Sequence, residues 1–201
     1  MGRYDDPSVR RNIEMAKIAM AGTSNKLGVA ACDFVLADVY FHRGNYSESG
    51  ALYARWLPFL EGQSAEMELL WRRRMVDVAF AENDRRRAAR LSFVLLALAL
   101  RVHDLAATHK ALRRIGDIFR ADGDSVTAGA LFGLALSGFT LMGIHQARGD
   151  CLIRLGDIDR ERGEFKTART RWAEARLMFD RSSQLRDVQR CDERVSNLEQ
   201  L

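Results

Sequence analysis

The sequence predicts an all-α solenoid of antiparallel helix hairpins, about ten helices in 201 residues, and three observations predict it. A short phrase recurs four times, as Leu36-Ala37-Asp38-Val39, Met75-Val76-Asp77-Val78, Ile115-Gly116-Asp117-Ile118 and Leu155-Gly156-Asp157-Ile158. Turn signals follow in step at Gly44-Asn45, Asn83-Asp84, Gly123-Asp124 and Gly163-Glu164, so both markers advance by 39, 40 and 40 residues. A fixed period of that size marks stacked supersecondary units. Only two prolines, Pro7 and Pro58, interrupt the chain, and no stretch sustains the period-two alternation of strands.

The elements follow in order within a single domain at 1–201. Ile13, Ala16 and Met20 place a helix at 9–22, in the columns that second helices fill one period later. Four repeats occupy 27–65, 66–104, 105–144 and 145–184. In each, the first helix runs into the turn, and the second opens with a small residue five positions beyond it: Ser49, Ala88, Ala128 or Ala168. Then come Tyr53, Ser92, Phe132 and Trp172; Trp56, Leu95, Ala135 and Ala175; and Leu60, Ala99, Phe139 and Phe179, a four-three-four spacing that keeps one face apolar. Breaks at Gly62-Gln63-Ser64, His103-Asp104, Gly143 and Ser182-Ser183 lead into the next pair. Residues 185–201, rich in charge from Arg186 to Arg194, make a capping helix.

Composition narrows the function. With 47% hydrophobic and 29% charged residues the chain has an ordinary globular balance. The net charge of +4 comes from interspersed residues, so nucleic acid is not an expected partner, and the basic clusters Arg72-Arg73-Arg74 and Arg85-Arg86-Arg87 sit among Asp77 and Asp84. The apolar run Leu91 to Leu100 is too short for a membrane span, and no secretory signal opens the chain. Cys32, Cys151 and Cys191 share one column of the repeat with Trp71 and Ala111, which predicts packed thiols in a reducing, cytoplasmic setting. His42, His103, His109 and His145 have no ligand spacing, and no phosphate loop or nucleophile motif occurs. Neither metal, cofactor nor enzymatic activity is expected.

The small-aromatic-small pattern of the second helices, with Leu-Gly before the turn, resembles the tetratricopeptide repeat (TPR) in a long form of about 40 residues. Leu112, Ile115, Gly116, Phe119, Ala128, Phe132 and Ala135 fill the family positions in repeat three, as do Leu152, Leu155, Gly156, Ala168, Trp172 and Ala175 in repeat four. Repeat two departs at Arg72, Val76, Ala79 and Ser92, and Thr140 and Asp180 replace the terminal proline. The stretch Leu112 to Glu193 is also similar to arrays in fungal multigene families. The resemblance implies a right-handed superhelix whose first helices line a concave groove.

Groove candidates are Phe34, Asp38, Phe41, Arg73, Arg74, Asp77, Lys110, Arg113, Arg114, Asp117, Arg154 and Asp157. Arg74, Arg114 and Arg154 lie three residues before an aspartate of the same helix, and one repeat after another aspartate. Pairing is expected within helices, or between them as a ladder, with Asp77 meeting Arg114 and Asp117 meeting Arg154. The competing reading offers these donors to a carboxylate or peptide. Lys110 and Arg114 match positions of the two-carboxylate clamp in chaperone-tail-binding members, but Phe34 and Asp38 stand where it needs lysine and asparagine, so that activity is not carried over. The expected function is a non-enzymatic adaptor or sensor binding a protein, peptide or helix in the groove. The alternative is a homodimer formed through the helix at Ile13 to Met20 and the apolar groove end of Phe34, Phe41, Leu70 and Phe80.

Overall fold

The computed structural model describes residues 7–198. These form helices α1 (Pro7–Gly22), α2 (Lys26–His42), α3 (Tyr46–Leu60), α4 (Ala65–Ala81), α5 (Arg85–Arg101), α6 (Leu105–Ala121), α7 (Ser125–Leu141), α8 (His145–Glu161), α9 (Phe165–Arg181) and α10 (Leu185–Leu198). No strand occurs among the described residues. The TPR-like succession of antiparallel hairpins expected from the repeat is the observed architecture: α2 with α3, α4 with α5, α6 with α7, and α8 with α9. The chain divides into two compact units, 1–98 and 99–201, with the boundary inside α5.

One backbone motif makes nearly every turn. After α2, Gly44 N–H donates to the Phe41 carbonyl and Asn45 N–H to the Tyr40 carbonyl, the paired bonds of a Schellman cap. The same two bonds recur after α4, α6 and α8, with Asn83, Gly123 and Gly163 in the left-handed position. Asn83 reaches φ 58 in the column that glycine fills elsewhere, a conformation that asparagine tolerates. Side-chain caps start several of the following helices: Asn25 accepts from Gly28 N–H at 2.8 Å, Asp104 from Ala107 N–H at 2.8 Å and Asp124 from Thr127 N–H at 2.9 Å. The turn at 61–64 departs from the pattern; α3 contains Pro58 and stops at 15 residues where α2 and α4 run to 17.

In the first unit Ala30, Ala37, Tyr53, Leu60, Trp71, Met75 and Val78 form a core between α2, α3 and α4. In the second, Leu152, Trp172, Phe179 and Cys191 join α8, α9 and α10, while Phe132 packs with Leu155 and Ile158, and Phe139 with Cys151. Burial of each large aromatic contributes roughly 2 kcal/mol or more. The small-residue column is fully buried, as close helix approach requires. Gly116 and Gly156 serve the same purpose on first helices: a Cβ would stand 2.6 Å from the Phe132 ring and 2.6 Å from the Trp172 indole, respectively. Cys151 and Cys191 are buried as the column predicts, whereas Cys32 is half-buried.

Candidate functional site

Within each unit, first helices of consecutive hairpins present equivalent columns to one another, so side chains one repeat apart meet. In the first unit Arg74 of α4 reaches back to α2, where its Nη2 donates to Asp38 Oδ2 at 3.0 Å. The Tyr53 hydroxyl donates to the other carboxylate oxygen. Burial first, and then this bond, push the Tyr53 phenol above its ordinary range. Arg74 also lies 5.9 Å over the Phe34 ring, which packs 5.4 Å from Tyr53 and 4.4 Å from Trp71. Phe41 stacks 5.4 Å from Tyr46, and Arg73 and Asp77 are half-buried on α4. This patch is therefore aromatic with one fixed ion pair.

In the second unit the row is charged. Arg154 of α8 grips Asp117 of α6 with both faces of its fork, Nε to Oδ1 at 2.5 Å and Nη2 to Oδ2 at 3.2 Å, while Nη1 donates to the Asp150 carbonyl at 2.9 Å. Arg194 of α10 repeats the arrangement one period on: Nε and Nη2 donate to Asp157 at 2.8 and 3.2 Å, and Nη1 donates to the Arg190 carbonyl at 3.3 Å. Arg113 donates to Asp150, and Arg120 spans Asp157 at 3.5 Å and Glu161. Burial lowers the proton affinity of Arg154, but the charge of Asp117 and its hydrogen bonds outweigh this, so the guanidinium titrates above its usual value. Arg194 is raised by its hydrogen bond to Asp157.

The two pairing modes expected from the sequence are not equal. Within a helix, Arg74 approaches Asp77 to 3.8 Å and Arg114 approaches Asp117 to 3.7 Å, both beyond hydrogen-bond length. Arg154 does not turn to Asp157 three residues on, but to Asp117 and Asp150. The fork aimed at the neighbouring first helix makes two hydrogen bonds to one carboxylate, the stronger bidentate arrangement, whereas the pairs at 3.7 and 3.8 Å make none. Lys110 and Arg114 stand half-buried on the same face of α6, with further contacts of their own.

Sequence reasoning missed Arg113 with Asp150, Arg120 with Asp157, and above all Asp33. The carboxylate of Asp33 is wholly buried, and it occupies the column that Leu112 and Leu152 fill in later repeats. A charge at Asp33, in a column that is Arg72 in repeat two and leucine in repeats three and four, was the available signal. Among the described residues no cluster of three or more His, Cys, Asp or Glu side chains could hold a metal ion, and no helix is long and apolar enough to cross a membrane. His109 packs its ring 5.9 Å from Phe139, above Gly138. The face can hold charge in fixed positions; none of its pairs joins a nucleophile to a base.

No family model matches the chain, and no curated protein matches it in sequence. Solved structures do. The chain is similar to the apo form of RapI, with a TM-score of 0.74 and 15% identity over 86% of this chain and 63% of that one. It is similar to the kinesin light chain TPR-like repeats of Podosopora anserina, with a TM-score of 0.63 and 14% identity over 89% of this chain and 90% of that one. It is also similar to a Rap protein complexed with Competence and Sporulation Factor, with a TM-score of 0.64 and 13% identity over 95% of this chain and 71% of that one. At such identities the likeness shows the fold, a TPR-like helical repeat, and the chain spans less than two thirds of the length of RapI.

Proposed function

We propose that the chain is a non-catalytic protein-interaction module, an adaptor or sensor that takes an acidic peptide or helix along the first helices of its second unit. The observation that carries the reading is the preset charged row: Lys110, Arg113, Arg114, Arg120, Arg154 and Arg194 share the first helices with Asp117, Asp150, Asp157 and Glu161, and ion pairs one repeat apart fix Arg113, Arg120, Arg154 and Arg194 in register. The bidentate pairs of Arg154 and Arg194 brace the row, so an acidic ligand meets side chains that are already ordered and competes with the carboxylates on them. The Rap protein complexed with a factor supports this use of the fold. In the first unit, Phe34, Asp38, Phe41, Arg73, Arg74 and Asp77 form a second, more apolar contact patch. Three free thiols suit a reducing, cytoplasmic compartment.

The test is a calorimetric titration with glutamate-rich and lysine-rich peptides of equal length. Acidic peptides bind preferentially, affinity falls with added salt, and Arg114→Glu weakens it by about tenfold at low salt while circular dichroism verifies the fold. Equal binding of both peptides, or retention by the variant, contradicts the reading.

A second reading, self-association, is favoured by one observation: Met15 and Ile18 on α1 are 61% and 67% exposed on one outward face. Light scattering across a concentration series decides it, since a mass fixed at one chain excludes a dimer.

A further inference from the structure

The buried Asp33 carboxylate has a chemistry that the groove does not use. Lys17 Nζ of α1 lies 2.5 Å from Oδ1, and Trp56 Nε1 of α3 donates to Oδ2 at 2.8 Å. Arg55 stands 3.7 Å from Oδ2 on an exposed stem. A carboxylate enclosed this way requires a cation, and α1 supplies the one in hydrogen-bond contact.

The rest of α1 lies along α2 with most of its surface exposed. None of its residues 8–22 is fully buried; Val9, Ile13 and Lys17, spaced one turn apart, are the half-buried stripe against α2. Beside that stripe runs an open apolar groove of about 360 Å³, lined by Asn12, Ile13, Ala16, Ala31, Cys32 and Val35. Ala16, immediately before the anchoring lysine, puts a methyl group where there is room for a larger side chain.

We propose that α1 is a displaceable occupant of a receptor on α2 and α3, and that the receptor takes an amphipathic helix of another protein carrying a bulky apolar residue followed by lysine. The lysine replaces Lys17 on Asp33, and the apolar side chain fills the groove that Ala16 leaves open. Charge complementarity sets the partner's chemistry, and α1 is a resident example of it. This seat lies wholly within the first unit and is independent of the charged row, so Arg114→Glu leaves it unchanged.

The probe is a synthetic peptide of residues 7–22 with Ala16→Leu, titrated into the full chain and followed by hydrogen exchange. It binds saturably, roughly tenfold tighter than the unsubstituted peptide, and speeds exchange of the chain's own α1 amides while α2 and α3 stay protected. Asp33→Asn weakens binding. Because that variant removes a buried charge and risks misfolding, Ile13→Ala is the second: it weakens the apolar hold of α1 while leaving Asp33 and its cation in place, and raises peptide affinity. Absence of saturable binding, binding without faster α1 exchange, or unchanged affinity in Ile13→Ala overturns the proposal. So does a chain that exchanges α1 with a second copy, seen as doubled mass, since the occupant is then the chain itself.

Discussion

At the scale of the residue, the arginines that recur along the first helices divide by what they hold. Arg154 spends its whole fork on Asp117 and the Asp150 carbonyl, and lies 6.0 Å over the Phe132 ring. Its replacement by alanine leaves Asp117 with Arg114 at 3.7 Å and is predicted to cost about 2 kcal/mol, measurable by urea denaturation. Gly156→Ala tests the close approach in the same hairpin. Alanine gains about 1 kcal/mol in helix propensity, yet its Cβ would meet the Trp172 indole at 2.6 Å and the Ala168 carbonyl at 3.2 Å. The clash wins, and a net loss of about 1–2 kcal/mol is expected; a stabilised variant would contradict this packing. The thiols also separate. Burial pushes Cys151 up to about 12 and Cys191 up to about 11, so both stay protonated and inert at neutral pH, while the half-buried Cys32 reacts. A thiol reagent at pH 7.5 should label one cysteine quickly in the native chain and three in denaturant; fast labelling of Cys151 would be inconsistent with the packed column.

At the scale of the element, most of the architecture was legible because helix ends and packing faces repeat. Gly44, Gly123 and Gly163 mark the turns in the sequence, and the small residue five positions later is buried every time. Repeat two, weakest as a TPR match, forms the same hairpin because Asn83 reaches the left-handed conformation its turn needs. What the period could not decide was direction. Arg114 and Arg154 each have an aspartate three residues on and another one repeat back, and Arg154 takes the second with two hydrogen bonds, a choice the period alone does not encode. For Asp33 the charge itself was legible but its partners were not: Lys17 and Trp56 lie 16 and 23 residues away on helices outside its column. Helix starts offer a separate check. Asp104 caps α6 through Ala107 N–H, and Asp104→Ala should cost about 1 kcal/mol in thermal unfolding; an unchanged melting temperature would contradict the cap.

At the scale of the whole molecule, the two units carry different surfaces. In the first, the candidate residues are aromatic around the Asp38–Arg74 pair; in the second, they are a row of alternating arginines and carboxylates. That contrast is why the interaction reading centres on α6, α8 and α10, and why an acidic ligand is its expected partner. The sharpest measurement is amide chemical-shift mapping of the isotopically labelled chain during titration with a glutamate-rich peptide at low salt. The account predicts saturable shifts concentrated at residues 110–120 and 150–157 and at Arg194. Shifts confined to α7 and α9, or none on this row at saturation, would contradict it.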